Sequence, residues 1–237
     1  MNVDRKSEVL AGGLFVVATV ASILGSVALG AILDGTDYLD TVGDQQTRLV
    51  LAVLLFVIAA VAAVATAFVL FPILRRFAEG AAAGYVVLRV FENILYVMGS
   101  VGLLIMLTVG QSDAVGAAPA ADATLLGVTL LAVHHWSVLI GTLIFAGMAS
   151  CLLNYVLLQS RLVPRWLAYW GLIGAALVVV YGLLGIFGAG SDFGSPLMLL
   201  AMPLAVQEMV FAGWLIVKGL HLPTASPGGP RSVPAMR

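Results

Sequence analysis

Three charged residues lie within long apolar stretches of this sequence, where each charge needs a partner. Arg89 and Glu92 stand three residues apart in YVVLRVFENILYVMGS, which begins at Tyr85, and Glu208 lies in MPLAVQEMVFAG. An arginine and two carboxylates can form a buried ion pair, or they can bind a proton, an ion or a small polar solute. A lone charge in lipid costs about 2.5 kcal/mol or more. These side chains must therefore face other helices and not the bilayer.

The polar residues around Arg89 follow a helical period. At 100° per residue they fall within one third of the helix circumference, and the opposite side is Val, Leu, Phe and Ile. The members of this stripe are Tyr85, Arg89, Glu92, Asn93, Tyr96 and Ser100. The pattern predicts one helix whose polar stripe faces the centre of a bundle.

Two amides in other apolar stretches belong with this group. Asn154 follows Ala146 and Ser150 on one helix face, and Gln207 precedes Glu208. Amides of this kind bridge membrane helices and contribute about 0.6 kcal/mol each on average. The predicted polar core therefore consists of Tyr85, Arg89, Glu92, Asn93, Tyr96, Asn154, Gln207 and Glu208.

This core is compatible with two functions. One is a non-enzymatic membrane protein, structural or partner-binding, in which the polar core fixes helix packing. The other is a small-solute or ion transporter or channel that works through the Arg/Glu cluster. Low charge content and missing catalytic motifs favour the first. Charges beside a helix that Pro203 is expected to kink favour the second.

A specific contact is predicted for Arg89. A guanidinium has five N–H donors, and Glu92, three residues along the same helix, satisfies only part of them. Another helix should supply an acceptor, and Glu208 is the other acid within a membrane stretch. We expect Arg89 and Glu208 to lie within ion-pair distance or to be bridged by water.

The common catalytic and metal-binding motifs are missing from the sequence. There is no G-x-S-x-G, H-E-x-x-H or G-x-x-x-x-G-K-[ST] pattern. His134 and His135 point about 100° apart on a helix and cannot chelate one ion. Cys151 is the single cysteine. The sequence predicts no catalytic residue, no metal and no cofactor, and it disfavours an enzyme without excluding one.

Composition defines the class of protein. The 237 residues are 62% hydrophobic and only 10% charged, against about 25% charged residues in a soluble domain. The chain is therefore predicted to be an integral membrane protein, with the lipid bilayer as its surroundings. A net charge of −1 argues against binding nucleic acid, which needs a basic face. A protein partner or a second copy of the chain is compatible with either function.

The apolar stretches predict an all-α, polytopic bundle of six transmembrane helices over residues 1–221. The six spans are expected at about 9–33, 49–74, 82–109, 136–158, 166–187 and 197–217. A disordered cytoplasmic tail, rich in Pro, Gly and Ser, is expected over residues 222–237.

The fourth apolar stretch is too long for a single span. From Thr124 to Leu158 it would extend about 52 Å as a helix, against a hydrocarbon core of about 30 Å. We expect a break at the sequence HHW, with an interfacial helix over about 124–133 and Trp136 as an interfacial anchor. One long tilted or protruding helix is the alternative.

Loop charges predict the orientation. Basic residues occur in pairs before the first span and in the second and fourth connections, for example Arg75 and Arg76. The connections between them in sequence are acidic, and their only basic residue is Arg48. Lys and Arg mark the cytoplasmic side of a membrane. Both termini are therefore expected in the cytoplasm, with the chain in the plasma membrane.

Three stretches carry a family resemblance. They are FPILRRFAEGAAAGYVVLRVFE from Phe71, QSRLVPRWLAYWGLIG from Gln159 and MPLAVQEMVFAGWLIVKG from Met202. Together they resemble a family of prokaryotic six-span membrane proteins called domain of unknown function 4386, over roughly Glu8 to Gly219. The resemblance implies a fold and a membrane location, and it transfers no catalytic residue.

Overall fold

A computed structural model of the protein describes residues 3–33, 45–111, 120–189 and 196–221. Every regular element within these ranges is a helix, which confirms the prediction of an all-α fold. The expected disordered tail over residues 222–237 lies outside the described residues, and so do most of the acidic connections.

Seven α-helices and two short helical segments make up the described chain. The α-helices are α1 (Val3–Leu33), α2 (Gln46–Leu74), α3 (Glu79–Gly110), α4 (Ala120–Val138), α5 (Ala146–Ser160), α6 (Arg165–Ile186) and α7 (Met202–Val217). A π-helical segment, Leu139–Phe145, joins α4 to α5, and a 3-10 helix, Pro196–Leu200, precedes α7.

Six helical stretches are long and apolar enough to cross a membrane. They are Asp4–Gly30, Gln46–Leu74, Glu79–Val109, Leu125–Ser160, Arg165–Ile186 and Pro196–Val217. Large apolar side chains cover the outside of the bundle, for example Val61 and Ile94, which are 64% and 57% exposed. The predicted six-span, multi-pass membrane architecture is confirmed.

The fourth span differs from its prediction. α4 continues through His134, His135 and Trp136, and the π-helical segment leads directly into α5. The expected break at HHW and the separate interfacial helix over about 124–133 are wrong, and the alternative of one long helix describes the chain. A Cβ at Gly141 would lie 2.9 Å from the carbonyl oxygen of Glu92, so the glycine lets the π-helical segment pack closely against α3.

The start of the last span also differs. Pro203 lies in the first turn of α7, directly after the 3-10 helix. A proline in this position removes no helical hydrogen bond, because the first N–H groups of a helix have no partner within it. Pro203 therefore helps to begin α7 and does not interrupt its hydrogen bonds.

The helices form a closed ring. α1 packs against α2 and α7, α2 against α3, α3 against α4 and α5, α5 against α6, and α6 against α7. Small residues allow this close packing. For example, a Cβ at Gly174 on α6 would lie 2.9 Å from the backbone nitrogen of Leu204 on α7.

Two apolar clusters fill most of the ring, and α3 runs through both. Tyr85 belongs to a cluster that includes Phe15 and Phe211, at the end of the bundle that carries the N terminus. Tyr96 belongs to a second cluster, with Phe56, towards the opposite end. The residues of α3 that lie between these two clusters include Arg89 and Glu92, so both charges are placed in the interior.

Candidate functional site

A three-residue ion cluster, Arg89 with Glu92 and Glu208, lies inside the ring. Nη1 of Arg89 donates to both carboxylate oxygens of Glu92, at 3.1 Å each, and Nη2 donates to Oε1 of Glu208 at 3.0 Å. The first contact joins adjacent turns of α3, whereas the second joins α3 to α7. The predicted approach of Arg89 and Glu208 is confirmed as a direct ion pair.

The three side chains differ in exposure. Those of Arg89 and Glu92 are 7% and 10% exposed, whereas that of Glu208 is 23% exposed. Glu208 is therefore the most exposed member of the cluster. The guanidinium is held between two acids at direct hydrogen-bonding distance, which leaves no space for a solute between the paired atoms.

Ser150 connects a third helix to the cluster. From α5, its Oγ donates to Oε1 of Glu208 at 3.2 Å, so this oxygen accepts from both Arg89 and Ser150. The sequence pattern places Ser150 on a packing face and not in the polar core. Its position four residues before Asn154 on the same helix face was the available signal.

Tyr85 completes the surroundings of Arg89. The guanidinium carbon of Arg89 lies 5.8 Å from the centre of the Tyr85 ring, within the range of a cation–π interaction. Tyr85 is fully buried. Its hydroxyl and Nε of Arg89 are buried without a hydrogen-bond partner among the described residues.

A second polar contact lies beside the cluster, where α5, α6 and α7 meet. Nε2 of Gln207 donates to Oδ1 of Asn154 at 3.2 Å and to the carbonyl oxygen of Leu167 at 3.3 Å. Nδ2 of Asn154 donates to the carbonyl oxygen of Ser150 at 2.9 Å. The absence of a side chain at Gly171 makes room for this amide, because a Cβ there would overlap the Asn154 carboxamide.

Two residues of the predicted core do not join either contact. Asn93 donates to the backbone oxygen of Arg89 at 2.8 Å and borders an apolar groove of about 580 Å³ between α2 and α3. The Tyr96 hydroxyl lies 3.1 Å from Oγ of Ser22, and its ring packs edge-on against Phe56. A stripe that covers a third of the helix circumference faces several neighbouring helices, so its residues contact different partners.

The histidines take no part in the cluster. Nδ1 of His134 lies 3.1 Å from the carbonyl oxygen of Gly99, and its ring packs against Phe56. Among the described residues, no group of three or more His, Cys, Asp or Glu side chains could hold a metal ion. His134 therefore acts as a contact between α4 and α3.

Comparison with known protein families identifies the chain. A family model described as "Domain of unknown function (DUF4386)" matches residues 10–219. The chain belongs to the DUF4386 family. No curated protein and no solved structure shows significant similarity to it.

Membership in the DUF4386 family supports the expectation drawn from the resemblance in sequence. The matched residues include all of the ion cluster and the second polar contact. For this DUF4386 protein the family description gives no activity, and the membrane class comes from its six long apolar helices. Its function must therefore be argued from the arrangement of its side chains.

Proposed function

We propose that this protein is a non-catalytic integral membrane protein whose polar core fastens the helix bundle, leaving its outer surface for lipid and for a protein partner or a second copy. The direct pairing of Arg89 with Glu92 and Glu208 supports this role. Breaking a buried ion pair leaves a charge uncompensated, so the pairing strongly favours the arrangement that keeps α3 and α7 together.

Hydrogen bonds next to the ion cluster connect further helices of the ring. Ser150 ties α5 to the Glu208 carboxylate, and Gln207 ties α7 to α5 and α6. Membrane helices lack a hydrophobic driving force between them, so hydrogen bonds and close packing have to define their arrangement. Four of the helices, α3, α5, α6 and α7, are linked by these side chains.

Transport of a small solute or an ion is the second candidate. It is favoured by the partial exposure of Glu208 and by the π-helical segment that packs against α3 at Glu92. Segments of π-helix often occur at functional sites. In this case the cluster would bind the transported species at Glu208.

A flux measurement separates these functions. Wild-type protein and Glu208→Gln are placed in proteoliposomes, and the passage of protons and monovalent cations is followed with trapped dyes. A structural core gives no flux above that of empty vesicles for either protein. Flux in the wild type that is lost in a folded Glu208→Gln variant would favour transport, and thermal melting in detergent checks that the variant is folded.

We also propose that both termini lie in the cytoplasm and that the protein resides in the plasma membrane. The alternation of basic and acidic connections supports this orientation. Contacts at the end of the bundle that carries the N terminus fit the same assignment. There Arg76 on the α2–α3 turn pairs with Asp4 of α1 at 3.0 Å.

A further inference from the structure

The ion cluster carries an unbalanced charge. One guanidinium and two carboxylates, all ionised, have a net charge of −1, from Arg89, Glu92 and Glu208. A net charge in a poorly hydrated interior is unfavourable, and such a group usually changes its protonation state instead. When two carboxyl groups share one site, the binding of a proton belongs to the pair and not to either residue alone.

No other charged side chain of the described residues balances this charge. The charged side chains of α1 lie between Asp4 and Glu8, where Arg5 contacts the last turn of α7, about 10 Å along that helix from Glu208. The α6 helix has only Arg165, at its start, and neither α5 nor the two short segments has a charged residue. The α2 and α4 helices have charged residues only in their first turns, Arg48 and Asp122, and His134 of α4 contacts Gly99, about 10 Å along α3 from Glu92. The ionisable groups that face the two carboxyls are therefore Arg89 and the phenols of Tyr85 and Tyr96.

The hydrogen bonds leave one carboxylate oxygen available. Both oxygens of Glu92 accept from Arg89, and Oε1 of Glu208 accepts from Arg89 and Ser150. No hydrogen bond from a described residue reaches Oε2 of Glu208. A proton on this oxygen would leave all of these contacts in place.

Two buried donors next to the cluster also have bonding capacity left. They are the hydroxyl of Tyr85 and Nε of Arg89, on residues that are 0% and 6% exposed. An unsatisfied buried donor is unfavourable, and a water molecule with two or more polar partners is the usual remedy. Neither atom donates to a carboxylate of the cluster in this structure.

We propose that Arg89, Glu92 and Glu208 form a binding site for one exchangeable proton, shared by the two carboxyl groups and reached through Glu208. Hydronium transfers its proton to a carboxylate oxygen of the pair, an O–H bond forms, water leaves, and the charge of the cluster changes from −1 to zero. This site goes beyond the packing role of the core, and its existence does not depend on whether the protein supports flux.

Infrared spectroscopy of the protein in lipid nanodiscs at neutral pH tests the site. A protonated carboxyl has a carbonyl-stretch band that an ionised one lacks, and solvent-exposed carboxyls are ionised at this pH. We expect the wild type to show this band at the intensity of one carboxyl per chain.

The band should vanish in Glu92→Gln and in Glu208→Gln, because either change leaves a neutral pair with Arg89. The exposed acid at the start of α3 provides the control, and Glu79→Gln should keep the band.

The outcomes are distinct. A wild-type spectrum without the band overturns the proposal, even if both variants fail to fold. A band that persists in both folded variants also overturns it, because the proton then belongs to another acid. The band should persist when sodium chloride replaces choline chloride, and its loss would overturn the proposal because a metal cation would then balance the charge. Doubling of the band in Arg89→Gln would support the proposal, since both acids then lack a counter-charge.

Discussion

Nη2 of Arg89 on α3 lies 3.0 Å from Oε1 of Glu208 on α7, although 119 residues separate them in sequence. The two helices are not adjacent in the ring, so this contact crosses its interior. Glu92 pairs with the other terminal nitrogen of Arg89. The guanidinium therefore contacts both acids, whereas each acid contacts only one nitrogen of the guanidinium. This arrangement makes the three residues unequal in their importance for stability.

Removal of the guanidinium should lower the free energy of unfolding more than removal of the Glu208 carboxylate. Arg89→Met leaves two acids without a counter-charge, and we expect a loss of about 3 to 5 kcal/mol in the free energy of unfolding. Glu208→Met leaves the Arg89–Glu92 pair intact and should cost about 1 to 3 kcal/mol. Denaturant titration in mild detergent measures both values. Val61→Met, on the exposed outer surface, is the control, and equal losses for the two core variants would contradict this ranking.

The same variants combine into a double-mutant cycle. Arg89→Met with Glu208→Met should lose less than the sum of the single losses, because the second change no longer breaks a pair. Additive losses would mean that the ion pair contributes nothing to the coupling of α3 and α7.

Gly171 should tolerate no side chain. Gly171→Ala places a Cβ on the Asn154 carboxamide, which must move and release Gln207, so we expect a loss of about 1 to 3 kcal/mol. Gly213→Ala on α7 is the matched control, since a Cβ there meets no atom within 4 Å. Thermal melting in detergent compares the two, and a Gly171→Ala protein as stable as the control would show that the amide relocates freely.

The ion pair could be predicted from the sequence because charges are rare in membrane stretches. Arg89 needed an acceptor beyond its own helix, and Glu208 was the one acid on another span. Ser150 could not be selected in this way. A serine hydroxyl in a helix satisfies itself on the preceding turn, as Ser100 does with the carbonyl oxygen of Tyr96, so its role depends on which helix lies opposite.

The continuity of the fourth span could not be derived from composition. The length of the apolar stretch required either a break or a protruding helix, and the aromatic Trp136 favoured a break. The chain instead continues through a π-helical segment, in which Gly141 packs against the backbone of Glu92. That packing is a contact between distant parts of the chain, and a local pattern carries no information about it.

Arg5 should stabilise the C-terminal end of α7 against fraying. Its guanidinium donates to the carbonyl oxygens of Leu215 and Ile216 at 2.6 and 2.5 Å, which satisfies acceptors that a helix end leaves free. In Arg5→Ala we expect this end to fray and trypsin to cut after Lys218 several-fold faster, as read by mass spectrometry. Lys6→Ala, at the exposed neighbouring position, should leave the rate unchanged. An equal rate in Arg5→Ala and the wild type would show that the contact does not restrain α7.

The proposed orientation can be tested at the two ends of a single helix. Glu79 and Gln111 are both exposed, at the beginning of α3 and directly after its end, and Cys151 is the sole cysteine. In a Cys151→Ser background, an impermeant thiol reagent added to intact cells should label Gln111→Cys and not Glu79→Cys, because the basic α2–α3 turn is expected in the cytoplasm. Permeabilised cells should label both variants, which confirms that each thiol can react. Labelling of Glu79→Cys alone in intact cells would invert the orientation, and labelling of both would show that α3 does not separate two compartments.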